Sequence, residues 1–208
     1  MMDENTNPSL TIWKKYYQAN EGRGLRPLLT EWLGLIQPNV VGQAIDLGCG
    51  EGIETLALLQ AGWRVLAFDR EPEGIARLKV RTPPELVDRL EARELPFEMI
   101  NLLPRADLIH AAYSIPFCTP EYFPTLWRLI TESLNTGGRF VGQLFGVNDA
   151  WSANRAMTFH TADGVATLFD GFTFESYQEF EGERPTALGD LKHWHVFHLI
   201  ARKQGITA

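Results

Sequence analysis

Two aspartates beside a cluster of glycines form the part of this chain whose spacing most clearly indicates chemistry. Residues 44–62 read AIDLGCGEGIETLALLQAG: a short apolar run that carries Asp46, three glycines at alternate positions, and then apolar residues at helical spacing. A strand, a glycine turn and a helix in this order bring backbone N–H groups and a helix N-terminus against a ligand. Because Asp46 lies two residues before the first glycine, its carboxylate would repel a pyrophosphate and favours a ligand with positive charge near the turn.

A second acid, Asp69, lies where such a unit needs a ribose-binding group. The apolar run at 64–68 predicts the next strand, and Asp69 ends it 21 residues after Gly48. This is close to the interval of about 20 residues at which a ribose-binding acid occurs in βαβ units. S-adenosylmethionine has a ribose, a sulfonium and an ammonium group, and no phosphate. The sequence therefore predicts an S-adenosylmethionine site, with an NAD-dependent oxidoreductase as an alternative that Asp46 and the glycine spacing disfavour.

Alternating strands and helices position these residues. Two amphipathic helices within 1–40 are predicted to form an N-terminal cap on an α/β core at 41–208, the whole chain being one domain. Strands are predicted near 43–47, 64–69, 89–95, 107–112, 139–145, 172–180 and 194–202; helices are predicted near 53–61, 72–79 and 161–168, with a further one from Pro120 to the glycine pair at 137–138. This order predicts a three-layer α/β fold, a mostly parallel sheet ending in a C-terminal antiparallel hairpin.

At this point the chain resembles the class I S-adenosylmethionine-dependent methyltransferases. The resemblance spans about residues 43–203 and rests on IDLGCGEG, VLAFD, ADLIHAAYSIPF, SLNTGGRFVGQLFG and KHWHVFHLIARK. It implies a Rossmann-like seven-stranded sheet, Asp46 near the methionine moiety, the loop with Gly48, Cys49, Gly50 and Gly52 under the cofactor, and Asp69 on the ribose. Among small bacterial members, the chain looks most like the tellurite-resistance and related small-molecule methyltransferases.

The same resemblance implies where the adenine ring and the acceptor lie. It puts the adenine partner shortly after the third strand, where Phe97 and Glu98 are the candidates, although either could be a surface residue. The segment from Ala112 and Tyr113 to Phe117 occupies the position of the N/D-P-P-F/Y loop of amino-methylating members. It lacks the leading Asn or Asp and one proline, which argues against an adenine or cytosine N-methylase. A loop that only packs on the cofactor is the alternative.

Aromatic and basic residues outside the core are candidates for a lid over the reacting methyl group. Water and unselected nucleophiles must be excluded from such a site. The candidates for lid or substrate contacts are Trp13, Tyr17, Arg23, Arg26, Phe117 and Trp151, with either arginine able to hold a carboxylate bidentately. The alternative is that the helix aromatics are ordinary core residues.

Three histidines close to the C-terminus raise the questions of a metal and of a base. Side chains at 193 and 195 share one face of a strand while 198 points to the other, so the three cannot converge on one ion. A two-histidine site completed by Asp190 stays open, but no metal is the expectation. His193 and Tyr113 are the candidate bases, and His195 and His198 are expected to pack in the sheet.

Composition restricts the partners. The net charge is −7, from 19 Lys and Arg against 26 Asp and Glu, and the basic residues are scattered, which argues against nucleic acid as substrate. No apolar run approaches about 18 residues, the N-terminus is acidic, and two cysteines make no disulfide framework. A cytoplasmic enzyme that methylates a small-molecule acceptor, without nucleic acid or membrane partners, is the prediction. A non-catalytic protein that binds S-adenosylmethionine or S-adenosylhomocysteine is the alternative.

Overall fold

The computed structural model describes residues 8–20, 22–35 and 42–205. The helices are α1 (Pro8–Ala19), α2 (Pro27–Leu35), α3 (Ile53–Gln60), α4 (Pro72–Arg81), α5 (Phe123–Ser133) and α6 (Ala162–Leu168). The strands are β1 (Gln43–Leu47), β2 (Arg64–Asp69), β3 (Leu90–Glu94), β4 (Ala106–Ala111), β5 (Leu134–Gly146), β6 (Phe159–His160), β7 (Phe172–Pro185) and β8 (Leu191–Lys203). Short 3₁₀ turns lie at Pro84–Arg89, Phe97–Met99 and Ile115–Phe117.

One sheet contains all eight strands, in the order β3-β2-β1-β4-β5-β8-β7, with β6 beside the end of β5. Neighbouring strands from β3 to β5 run parallel, and β8 is antiparallel to both β5 and β7. The prediction of a Rossmann-like, mostly parallel α/β sheet with a C-terminal antiparallel hairpin is confirmed. The additional strand β6 has two residues, too few for any alternating or apolar pattern to be visible in the sequence.

Both faces of the sheet are covered, which is why its central strands are continuous apolar runs. On one face, α2 and α3 pack on the sheet, and Trp32 contacts Trp63 with ring centroids 5.4 Å apart. On the other, α5 and α6 pack around Trp127, whose ring centroid lies 4.9 Å from that of Phe169. The three-layer arrangement holds the carboxyl ends of β1, β2 and β4 side by side.

Two local predictions about segment ends are wrong. Helix α5 ends at Ser133, and Gly137 and Gly138 lie inside β5. Gly137 has a φ of 79° where the register of β5 against β4 shifts, and it does not cap the helix. The hairpin strands β7 and β8 are longer than predicted, and the connection is only 186–190, closed by Thr186 N–H donating to the Asp190 carbonyl. The full length of β7 was not predicted, because much of this edge strand faces solvent and its polar residues give no apolar run.

Candidate functional site

The glycine loop after β1 folds back on the end of β2. Gly48 and Cys49 both donate their N–H groups to the carbonyl of Phe68, at 2.8 and 2.9 Å. Gly48, Gly50 and Gly52 have φ values of 78°, 54° and 85°, in the left-handed region that favours glycine. At Gly48, a Cβ would also collide with the side chain of Ser114. The turn is therefore possible only with glycines, and it brings the loop against the carboxyl ends of β2 and β4.

Asp69 joins this loop to β2. Its Oδ2 accepts a hydrogen bond from Gly50 N–H at 2.7 Å, and its Oδ1 accepts one from Glu71 N–H at 2.9 Å. Burial raises the pKa of the Asp69 carboxyl, and these two backbone donors act against that rise. Each carboxylate oxygen has a second lone pair, so Asp69 can still accept hydrogen bonds from a ligand.

Asp46, at the end of β1, is fully buried with two side-chain partners. Thr55 Oγ1 donates to its Oδ2 at 2.5 Å, and Nδ1 of His110 lies 2.9 Å from its Oδ1. Neither Thr55 nor His110 was predicted from the sequence. A histidine within a strand that is apolar from Leu108 to Ala111 apart from itself was the signal for the second, because buried polar side chains need a partner.

Two further buried carboxylates, Glu51 and Glu54, hold the loop and the N-terminal segment in place. Arg23 pairs bidentately with Glu54, at 2.6 and 2.7 Å, and Glu51 lies 3.0 Å from Arg81. Burial acts to raise the pKa of Glu54, but the hydrogen bonds and charge of Arg23 hold it below the ordinary value. Arg23 was expected to be free for a ligand carboxylate; the structure instead gives it an internal partner.

Helix α1 lies over the glycine loop. Tyr17 is 2% exposed and its ring lies beneath Arg77 Cζ at 5.7 Å, while Asp69 and Glu71 lie near enough to reinforce the rise in its pKa that burial causes. Tyr17 is thus a packed residue that covers Gly50, as well as a member of the helix predicted to be a lid.

The arginine Arg26 and the tyrosine Tyr113 meet beside this helix. Arg26 donates to Tyr16 Oη at 2.7 Å, and its Cζ lies 4.6 Å from the centroid of the Tyr113 ring. Its Nε is buried with no hydrogen-bond partner among the described residues. Tyr113 has a φ of 55°, the one positive value outside glycine in the described part of the chain. Strain of this kind persists where surroundings over-determine it, often at functional sites; here Gln143 Oε1 accepts from Tyr113 N–H at 3.1 Å.

These elements enclose a first cavity, called here the glycine-loop cavity. The residues that line it and that the sequence predicted to bind cofactor or substrate are Asp46, Gly48, Cys49, Gly50, Asp69, Phe97, Glu98, Ala112, Tyr113, Trp13, Tyr17, Arg23, Arg26 and Phe117. Gly52 packs elsewhere: it caps the N-terminus of α3, and a Cβ there would collide with Leu78. The direct roles of these residues toward a ligand stay predictions.

A second cavity, of about 850 Å³, adjoins the first and is called here the aromatic cavity. Its aromatic lining residues are Trp13, Tyr16, Tyr113, Phe117, Phe145, Trp151, Phe180 and Trp194. Trp13, Tyr16, Asn20, Arg26, Tyr113 and Phe117 line both cavities. The volume is in the range of sites for small molecules. Trp151, a predicted substrate contact, belongs to this second cavity.

A buried ion pair supports the aromatic cavity. Lys192 Nζ lies 2.6 Å from the Asp149 carboxylate, and both side chains are almost completely buried. The same ammonium lies 3.5 Å from the centroid of Trp194 and 4.0 Å from that of Trp151. Asp149 also accepts hydrogen bonds from the N–H groups of Trp151 and His195. The pair therefore fixes the loop after β5 against β8.

The three C-terminal histidines have different surroundings. His193 lies at the rim of the aromatic cavity, 3.2 Å from both Glu181 and Glu183, and the hydrogen bond to Glu181 raises its pKa most. His195 lies on the same face of β8 as His193 and is buried, with Nε2 2.8 Å from Glu179. His198 was expected to pack in the sheet like His195; it instead faces the aromatic cavity, half-buried beside Tyr113. Burial lowers its pKa, and the charge of Arg184 lowers it further.

Metal ligands and membrane-spanning helices can be sought only in the described part of the chain. Among the described residues, no group of three or more His, Cys, Asp or Glu side chains is arranged to hold a metal ion. Within the same residues, no helix combines the length and apolar character that crossing a membrane requires.

Comparison with solved structures identifies the fold. TehB from Haemophilus influenzae superposes with a TM-score of 0.75 at 19% identity, over 91% of this chain and 66% of that one. The 1,6-didemethyltoxoflavin-N1-methyltransferase from Burkholderia thailandensis, solved with bound 1,6-didemethyltoxoflavin and S-adenosylhomocysteine, gives a TM-score of 0.66 at 22% identity. That match covers 99% of this chain and 94% of the other. The fold is therefore that of the S-adenosylmethionine-dependent methyltransferases.

Sequence comparison agrees. An uncharacterized methyltransferase from Synechocystis, sll0829, is 29% identical over 98 residues, which are 47% of this chain and 44% of that relative. The match to this relative thus spans less than half of its length. The model of the family described as tellurite resistance protein TehB matches residues 15–183. Since this match covers most of the chain, from α1 through most of β7, the chain belongs to the TehB family.

Proposed function

We propose that this protein is an S-adenosylmethionine-dependent methyltransferase whose acceptor is a small molecule. The observation that carries the proposal is the charge of the glycine-loop cavity. Five carboxylates and three guanidinium groups line it, with Asp46 and Asp69 at the ends of adjacent strands. A cavity with this balance suits a ligand that carries a sulfonium and an ammonium group, and it disfavours the two phosphates of NAD.

The residues present fit the cofactor on structural grounds. Asp69 has lone pairs left for ribose hydroxyls after its two backbone bonds, and Asp46 is held rigidly by Thr55 and His110 at the point where positive charge would lie. Phe97 supplies an apolar wall for the adenine ring. When bound, S-adenosylmethionine supplies a methyl group activated by its sulfonium. The protein then contributes mainly orientation, which is worth about 7–11 kcal/mol in favourable cases.

The aromatic cavity is the proposed acceptor site. It adjoins the glycine-loop cavity at Tyr113 and Phe117, which line both, so an acceptor held there would meet the methyl group at this boundary. The Burkholderia neighbour was solved with a small molecule bound, which supports an acceptor of this size. The family description names tellurite resistance, which makes the tellurite oxyanion a second candidate acceptor. Arg26 favours it, because its guanidinium lines both cavities and forms no salt bridge with a carboxylate of the described residues.

Helix α1 and the segment after it are the proposed lid. Trp13, Tyr16 and Arg26 line both cavities, and the Arg23–Glu54 ion pair fastens the segment to α3. In this interpretation, Tyr17 is the packed base of the lid and Trp13 its cover over the acceptor. Closing the site excludes water from the methyl group.

Calorimetric titration with S-adenosylhomocysteine and with NAD tests the cofactor. We expect binding of the first and none of the second. Asp69→Asn should weaken S-adenosylhomocysteine binding at least about tenfold, because a charge-assisted hydrogen bond is worth about 1.5–3 kcal/mol. Glu94→Gln is the matched control, since Glu94 is the register partner of Asp69 on β3 and is exposed. NAD binding in the micromolar range by the wild-type protein would refute the proposal.

Turnover separates an enzyme from a protein that only binds the cofactor. With S-adenosylmethionine and a mixture of small metabolites, an enzyme forms S-adenosylhomocysteine at a rate that depends on the mixture. A protein that binds S-adenosylhomocysteine tightly but forms none with small metabolites or with tellurite would be the non-catalytic alternative.

A further inference from the structure

Half-buried His198 occupies a place in the aromatic cavity to which the proposed function gives no role. Its ring centroid lies 6.1 Å from that of Tyr113, and Tyr113 lines both cavities. On β5, Gln143 is the register partner of His198, and its side-chain oxygen holds the backbone N–H of Tyr113. The β5–β8 pairing therefore fixes the position of the His198 imidazole beside Tyr113, which lines both cavities.

No carboxylate of the described residues pairs with His198. The charged and titratable groups around it are Tyr113 from the loop after β4, Arg184 from β7, and Arg26, whose Cζ lies 4.6 Å from the centroid of the Tyr113 ring. Its register partners Gln143 on β5 and Gln178 on β7 carry no charge. Burial and the Arg184 charge lower the pKa of His198, so the imidazole is neutral near pH 7 and is able to accept a proton.

His193, the other histidine at this cavity, is in the opposite condition. Glu181 and Glu183 raise its pKa, and its ring is exposed at the rim. Because both of its ring nitrogens already face carboxylates, His193 is less available than His198 to take a proton from an acceptor. His198 is therefore a better candidate for the base than His193, which the sequence had suggested.

The aromatic cavity also indicates the shape and charge of what it holds. Trp194 and Phe145 contact Tyr113 edge-to-face at centroid distances of 6.2 Å, and all three rings line the cavity. A flat aromatic ligand would extend the same kind of contact. The guanidinium groups of Arg26 and Arg184 form no salt bridge with a carboxylate of the described residues, whereas Lys192 pairs with Asp149 and His193 with its two glutamates. Asp190 lines only the exposed rim of the cavity.

We propose that the acceptor is a flat aromatic compound with a weakly acidic hydroxyl or ring N–H group, and that His198 takes its proton. This inference rests on the proposed methyltransferase function. The O–H or N–H bond of the acceptor breaks, and the proton passes to the neutral imidazole. The acceptor's electron pair forms the bond to the methyl carbon, while the pair of the broken carbon–sulfur bond stays on sulfur. The proton on His198 then leaves to solvent through the open rim of the aromatic cavity.

Substituted phenols test the proton transfer directly. Phenol itself is almost fully protonated at pH 7.5, as the tyrosine side chain is, whereas 4-nitrophenol ionises near neutral pH and needs no base. With His198→Gln we expect methylation of phenol to fall by about 10²–10⁴-fold and that of 4-nitrophenol by less than about tenfold. His193→Gln should show no such selectivity. Equal losses on the two phenols with His198→Gln, or a selective loss with His193→Gln, would overturn the role of His198.

A measurement without turnover completes the test. With S-adenosylhomocysteine present, the absorbance of bound 4-nitrophenol reports its ionisation. We expect 4-nitrophenol bound to the wild type to ionise at a lower pH than free 4-nitrophenol does. His198→Gln should reduce this difference in pH. Phenol should also bind at least about tenfold more tightly than cyclohexanol or benzylamine.

Failure of this inference is distinguishable from failure of the proposed function. If S-adenosylhomocysteine binds but phenols bind no better than cyclohexanol, the aromatic acceptor is wrong and the methyltransferase function stands. Methylation of tellurite by a protein that binds no phenol leads to the same conclusion. If the wild-type protein does not bind S-adenosylhomocysteine at all, both proposals are wrong.

Discussion

The two cavities of this molecule are built on different physical principles. In the glycine-loop cavity, buried carboxylates have close partners: Asp46 has Thr55 and His110, and Asp69 has two backbone N–H groups. The aromatic cavity is lined by rings in edge and tilted contact, with one buried ion pair behind them. Polar networks of the first kind fix one geometry. Under the proposed function, the first cavity would hold the invariant cofactor, and the second would set the specificity for the acceptor.

The largest effect that would sharpen this comparison comes from Lys192→Met. The substitution leaves the Asp149 carboxylate, which is fully buried, without its cation. Breaking a buried pair in this way costs about 3–5 kcal/mol. We expect that loss in the free energy of unfolding measured with urea, with the affinity of the folded protein for S-adenosylhomocysteine unchanged, because neither residue lines the glycine-loop cavity.

The control for this prediction is the double variant Lys192→Met/Asp149→Asn. It removes the unpaired buried charge and keeps one oxygen, which can accept one of the two N–H groups, of Trp151 or of His195, that the two oxygens of Asp149 accept. It should be more stable than the single variant. A double variant no more stable than Lys192→Met would show that the loss comes from packing against Trp194 and not from the buried carboxylate.

Gly52→Ala should have the next largest effect, and on the other cavity. A residue other than glycine at a φ of 85° costs about 1–2 kcal/mol, and the collision of its Cβ with Leu78 adds about 1–3 kcal/mol of overpacking. Because Gly52 begins α3 directly behind the loop, weaker binding of S-adenosylhomocysteine should accompany the loss of stability.

Gly22→Ala separates strain from collision. Gly22 has a φ of 74°, close to that of Gly52, but no atom lies within 4 Å of a Cβ built there. We expect Gly22→Ala to lose only the stability that the backbone strain costs, and to bind S-adenosylhomocysteine with the wild-type affinity. If the two alanine variants were equally stable, the collision with Leu78 would make no contribution to the loss of stability of Gly52→Ala.

The sequence was most informative where a site is local in the chain. Asp46, the glycines and Asp69 lie within two adjacent strand–loop units, so their spacing alone predicted the turn after β1 and the acid at the end of β2. The partner of Asp46 on β4 was not predicted, because His110 reaches it only through the parallel register of β1 and β4. Pairing across a sheet depends on topology, which local spacing does not record.

The aromatic cavity shows the opposite case. Its lining comes from α1, the loop after β4, the loop after β5 and both hairpin strands, so no spacing connects Trp13, Trp151 and Trp194. Alternation along β8 correctly separated His195 from His198, but it could not tell which face of the strand meets a cavity. That depends on the loop after β5, which Lys192 and Asp149 hold in place.

The smallest predicted effect concerns the ion pair that fastens the segment after α1 to the glycine-loop cavity. Glu54 has a pKa below its ordinary value because Arg23 opposes the effect of burial. A carboxyl with a depressed folded pKa contributes stability above its unfolded pKa of about 4.3 and loses it as the pH falls through the folded pKa. Arg23→Gln removes that contribution. The stability difference between wild type and variant should therefore be about 1.5–3 kcal/mol at pH 7 and should shrink below about pH 4.3.

Arg128→Gln is the control for this pH dependence, since Arg128 forms an exposed pair with Glu132 on α5. Exposed pairs at this spacing contribute about 0.3–0.5 kcal/mol, so Arg128→Gln should leave both the unfolding curve at pH 7 and its acid limb almost unchanged. Unfolding curves for the three proteins between about pH 3.5 and 7, together with titrations of S-adenosylhomocysteine, measure both quantities.

Only Arg23→Gln should weaken cofactor binding, because only Arg23 lies in the glycine-loop cavity. If Arg23→Gln destabilised the protein but left that affinity unchanged, the Arg23–Glu54 pair would be a structural clamp and not part of a lid. The polar network that binds the cofactor would then extend no further than α3, and α1 would contribute only to the aromatic cavity.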